Sequence, residues 1–125
     1  MLKLTYAENS FDLEYVDQPW ENWINTRIVL GIQSRCNIHL QNTTASFTIK
    51  LDSFEFAELS KAVQNDNRIE ICYCDVDVVE VSLKGVWLSS NVDSEEGVFV
   101  TALNTLTEFY LVAVEQKQHS CYSAL

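Results

Sequence analysis

The sequence predicts a β-rich α+β fold: mostly antiparallel sheet, about nine to ten strands, with one clear helix near residues 53–65. Two observations carry that expectation. Apolar and polar residues alternate with a period of two through most of the chain, as a strand with one buried face requires. Only one stretch combines a helical apolar stripe with an N-terminal capping signal.

In chain order, Leu2, Leu4 and Tyr6 alternate with Lys3, Thr5 and Ala7. Phe11, Leu13 and Tyr15 alternate with Asp12, Glu14 and Val16 beyond a Glu8-Asn9-Ser10 turn, so the chain opens with a hairpin. Pro19 ends it, because proline supplies no ladder donor. Residues 20–34 fit both periods. Trp20, Trp23, Ile24, Ile28 and Leu30 could line a helix, yet Ile24, Thr26, Ile28, Leu30 and Ile32 alternate cleanly with their neighbours. The β-branched content and Gly31 tip the expectation to a strand from about Trp23. Strands at Asn37–Gln41 and Ala45–Leu51 follow.

Asp52 is a fitting N-cap, with Glu55 three residues on, and Phe56, Leu59 and Val63 form the apolar stripe of the expected helix. The stretch Ile69–Gln116 reads as further strands near 68–74, 77–84, 85–90, 97–103 and 107–116. The last rests on Phe109, Leu111 and Ala113 alternating with Glu108, Tyr110 and Val112. Residues 1–116 are therefore expected to form a single globular domain, and 117–125 a polar C-terminal tail that frays.

The charge is one-sided. Net charge is −10, and residues 52–125 hold thirteen acids against four bases. Eight Lys and Arg spread over the chain make no cationic surface for nucleic acid or for anionic membrane, whereas a basic partner fits the balance. No window approaches a membrane-spanning apolar run, and the alternating N-terminus is unlike a signal block. A cytoplasmic protein with reduced thiols is the expectation for Cys36, Cys72, Cys74 and Cys121.

No constellation specifies a reaction. Cys72 and Cys74 share a strand face but offer two thiolates where zinc takes four ligands. Cys36, His39, Cys121 and His119 have no ligand spacing. Asp75, Asp77 and Glu80, and Asp93, Glu95 and Glu96, lack the spacing of a calcium loop and read as solvated turns. No nucleophile stands beside a base in a recognisable motif, and no P-loop or dinucleotide fingerprint occurs. The expectation is no enzyme, no metal and no cofactor. Trp20 and Trp23 flank a turn, and tryptophan is enriched at interfaces, so these two are the candidate contact surface.

The opening Met1-Leu-Lys-Leu-Thr-Tyr6, the run Glu80-Val-Ser-Leu-Lys-Gly-Val-Trp87 and the continuation Asp93-Ser-Glu-Glu-Gly-Val-Phe-Val100 resemble a small family of uncharacterised cyanobacterial proteins. The resemblance implies a cytosolic bacterial protein and brings no activity, cofactor or catalytic residue.

The functional expectation is a non-catalytic protein-interaction or self-associating domain, because many strands in a short chain leave edges to be paired. The alternative is a small-molecule carrier with a β-barrel-like cavity. Single-strand nucleic-acid binding is disfavoured by the net charge of −10.

Overall fold

The computed structural model describes residues 1–7, 10–33, 41–91 and 96–123. Six strands and three helices follow one another: β1 (Leu2–Ala7), β2 (Ser10–Tyr15), α1 (Trp20–Gln33), β3 (Gln41–Lys50), α2 (Ser53–Ala62), β4 (Ile69–Tyr73), β5 (Val78–Asn91), β6 (Glu96–Thr101) and α3 (Thr105–Ser123). The strands form one antiparallel sheet in the order β2-β1-β6-β5-β3, with β4 also paired to β5. The opening hairpin is as the alternation requires, Leu4 facing Leu13 across it.

β5 organises the sheet. It is a single strand of 14 residues where the sequence suggests two, over 77–84 and 85–90. β3 runs along one edge of it, from Gln41 opposite Trp87 to Lys50 opposite Val78. The other edge is shared in tandem: β4 pairs with Val79–Leu83 and β6 with Val86–Asn91. Lys84 marks the changeover. Its N–H donates to the Arg68 carbonyl at 2.8 Å, just before β4, and its carbonyl accepts from Thr101 Oγ1 at 2.8 Å, at the end of β6. Next to it, Gly85 lets the Phe99 ring rest on the strand: a Cβ there would stand 2.7 Å from Phe99 Cζ. Further on, the register slips between Trp87 and Ser89, leaving Leu88 as the extra residue of a β-bulge, which increases local twist.

The two faces are buried by different helices. Leu2, Leu4, Leu13, Phe47, Ile49, Val79, Val81, Leu83 and Phe99 meet Leu59 of α2 and Leu111 and Val114 of α3 in the main core. Each such side chain contributes about 1.5–3 kcal/mol on leaving water. On the opposite face Trp23 and Ile24 of α1 pack on Val86, Leu88, Val98 and Val100, with Met1 and Val16 beside them.

α2 is the helix the sequence predicts, and its capping box is complete. Glu55 N donates to Asp52 Oδ1 at 2.7 Å and Asp52 N donates to Glu55 Oε1 at 3.2 Å. Asn65 then takes a left-handed conformation (φ 68°) in the turn toward β4.

Two segments read as strands are helices. Residues from Trp23 belong to α1, because the apolar back of β5 and β6 needs a cover and a helix puts Trp23 and Ile24 on one side together. Residues 107–116 belong to α3. Thr107, Glu108, Leu111, Val114 and Glu115 are the buried positions, a stripe of helical period that the coincidental alternation of Phe109, Leu111 and Ala113 obscures. Asn104 caps this helix, its Oδ1 accepting from Leu106 N at 2.9 Å. α3 continues to Ser123, so residues 117–123 are helical and do not form a frayed tail. The strand expected at Asn37–Gln41 falls largely outside the described residues.

Candidate functional site

Three places on the molecule gather chemistry. The first is the end formed by α2's N-terminus and the β4–β5 turn. Leu51 N donates to the Asp77 carbonyl at 2.9 Å, and Phe56 stacks on Tyr73 with ring centroids 4.2 Å apart, so these segments are locked together. On the same segments Phe54 is 73% exposed, Tyr73 61% and Val76 92%. Apolar side chains so open to water are the informative exception in a folded chain. Carboxylates belong to the same segments: Asp52, Glu55 and Glu58 on α2's start, Asp75 and Asp77 in the turn. Their field is felt nearby. The Tyr110 phenol is pushed above its ordinary value, first by burial and then by the negative charges of Glu55, Glu58 and Asp52. Among the described residues Lys61 and Lys117 provide partial compensation, at 3.7 Å from Glu58 and 3.4 Å from Glu55.

The thiols Cys72 and Cys74 flank Tyr73 and are free and exposed. Cys72 stands opposite Glu80 across β4 and β5. Among the described residues no group of three or more Cys, His, Asp or Glu is arranged to hold a metal ion. The side chains of Cys36, His39, His119, Cys121, Asp93, Glu95 and Glu96 lie outside the described set.

The second place is α1. Trp23 is 6% exposed and packs on the sheet, so it anchors the helix and offers no contact surface. Trp20 opens α1, its side chain outside the described set. Trp87 is half-buried, lies edge-on to Phe99 at 5.2 Å and donates from Nε1 to the Thr44 carbonyl at 3.4 Å. The burial of Trp23 follows from the face that α1 turns to the sheet, which its position beside a turn does not state.

The third place is a cleft of about 1000 Å³ on the α1 face, where β4 and β6 part. Arg68, Lys84, Gly85 and Thr101 line it from the sheet, and Pro19, Glu21 and Asn22 from the start of α1. No local motif announces it, since Arg68 lies in the turn before β4 and Lys84 on β5. Among the described residues the sheet path runs from β2 to β3, and one of its faces packs into the main core.

A β-rich sheet clasped by helices on both faces, without a recognisable catalytic constellation among its described residues, defines the class. The model of the Alr0857-like family matches residues 1–119, and the chain belongs to that family, an uncharacterised one named after a cyanobacterial gene. No curated protein and no solved structure matches the chain. Among the described residues no helix is long and apolar enough to cross a membrane.

Proposed function

We propose that the protein is a non-catalytic interaction domain whose α2/β4–β5 end receives a basic, apolar-anchored segment of a partner protein. The observation that carries this reading is the exposure of Phe54, Tyr73 and Val76 on the segments that also carry Asp52, Glu55, Asp75 and Asp77. Apolar anchors supply affinity once desolvated, and the acidic rim selects the partner's sign and speeds encounter. Two copies meeting through this end would set like charges against each other, so the rim argues for a different chain as the occupant.

The test is an amide-resolved NMR titration with an amphipathic peptide of leucine and lysine. Shifts are expected to centre on Phe54, Tyr73 and Val76 and to weaken as salt rises. Phe54→Ser should weaken binding by removing the anchor, and Asp75→Asn with Asp77→Asn by removing the rim. Shifts centred elsewhere, or variants that bind as well as the parent, would overturn the reading. A native mass spectrum recorded alongside reports subunit number and any retained small molecule.

A further inference from the structure

We infer that the cleft on the α1 face binds a sugar phosphate, with the phosphate held between Arg68 and Lys84. This site is separate from the proposed protein-binding end, and either can fail without the other.

Charge points to the ligand's sign. The protein has 18 acids and only eight Lys and Arg, yet two of those bases line one cleft. Lys3, Lys61 and Lys117 sit within 4.0 Å of carboxylates, whereas among the described residues Lys50, Arg68 and Lys84 make no ion pair, and two of these three line the cleft. The Arg68 side chain and the Lys84 backbone are well held. Arg68 Nη1 donates to the Ala102 carbonyl at 2.8 Å, which fixes the guanidinium and leaves other N–H groups for a ligand. The Lys84 backbone is bound on both sides of the β4–β6 fork. A fixed guanidinium with an ammonium in the same cleft favours a phosphate, because charge-assisted hydrogen bonds are about twice as strong as neutral ones.

The remaining lining narrows the class. The first turn of the 14-residue α1 brings the positive end of its dipole toward the cleft, adding to the attraction for one anionic group. Glu21 on the same turn repels further negative charge, so one phosphate suits the site better than a chain of them. Asn22, Thr44 and Asn67 offer neutral amide and hydroxyl groups to sugar hydroxyls. Among the described residues no aromatic side chain lines the cleft, and an aromatic face is what a nucleobase stacks on. Its volume of about 1000 Å³ accommodates a molecule of this size.

The experiment is an amide-resolved NMR titration of the whole chain at constant ionic strength, using glucose 6-phosphate, glucose, inorganic phosphate and ATP as separate probes. Glucose 6-phosphate should give saturable shifts at Asn67, Lys84 and Gly85, and bind more tightly than the other three. Lys84→Gln should lower its affinity about tenfold, the loss of one charge-assisted contact, without lowering Tm. Arg68→Lys should retain more affinity than Arg68→Gln, separating charge from the Ala102 bond. No saturable shift up to about 10 mM, a level weaker than most specific binding, overturns the site. So do shifts confined to other residues. Tighter binding of ATP or of bare phosphate overturns the sugar-phosphate class.

Discussion

The α-amino group of Met1 donates to Oε2 of Glu108 at 3.1 Å, and the two groups are 1% and 3% exposed. This contact bridges the start of β1 and the first turn of α3, positions 107 residues apart. Glu108 also accepts from Leu103 N through Oε1 at 3.0 Å, so one buried carboxylate orients the chain entering α3 and ties it to the sheet. A carboxylate in a helix's first turn also suits the positive end of its dipole.

Glu108→Gln keeps an oxygen for Leu103 but leaves the Met1 ammonium buried without its counter-charge. Breaking one side of a buried pair is expected to cost about 3–5 kcal/mol, and urea unfolding monitored by tryptophan fluorescence measures it.

Gly85→Ala is expected to destabilise by about 1–3 kcal/mol, the range for overpacking a filled site. The new methyl would meet Phe99 Cζ at 2.7 Å and come closer still to the Val100 carbonyl oxygen. Phe99 is fully buried and cannot swing away at low cost. Thermal unfolding reads the loss. An unchanged Tm would mean that β5 and β6 can separate there freely.

Trp23 and Phe54 should respond oppositely to truncation. Trp23→Ala removes the anchor of α1 and should cost about 3–5 kcal/mol. Phe54→Ala removes a ring already 73% exposed and should alter stability by no more than about 0.5 kcal/mol. Parallel denaturation curves check both, and a large loss for Phe54→Ala would place that ring in the core.

Tyr110 donates its hydroxyl to the Glu55 carbonyl at 2.7 Å, tying α3 to α2. Its pKa is raised in the folded chain by burial, then by Glu55, Glu58 and Asp52. A raised folded value means that this group's contribution is whole below the unfolded pKa, about 10, and is lost as pH climbs through the folded one. Stability should fall in that alkaline window, and Tyr110→Phe should flatten the fall. At neutral pH the variant should lose about 1 kcal/mol, one net hydrogen bond. Unfolding free energies measured from pH 8 to 11 decide both points.

Local pattern alone determined much of this protein. The hairpin of β1 and β2, the α2 helix with its Asp52–Glu55 box, and the strands β4 and β6 follow from alternation, capping and turn chemistry acting over a few residues. Those forces are short-ranged, and each element's own residues state them. The acidic end was also visible as Asp75 and Asp77, although nothing local showed that Phe54 and Tyr73 would stand exposed beside it.

Tertiary structure decided the rest. Segments 23–33 and 107–116 hold apolar residues at both periods, and what selects the helix is a sheet face that needs covering: Val86, Leu88, Val98 and Val100 under α1, and Phe99 with its neighbours in the core that α3 closes. β5 became one strand because β4 and β6 share its edge, an arrangement read only from pairing. For the same reason Arg68 and Lys84, 16 positions apart in the chain, meet in one cleft. Propensity over a short window is worth tenths of a kcal/mol per residue, while burying a helix face is worth several, so packing decided wherever the two disagreed.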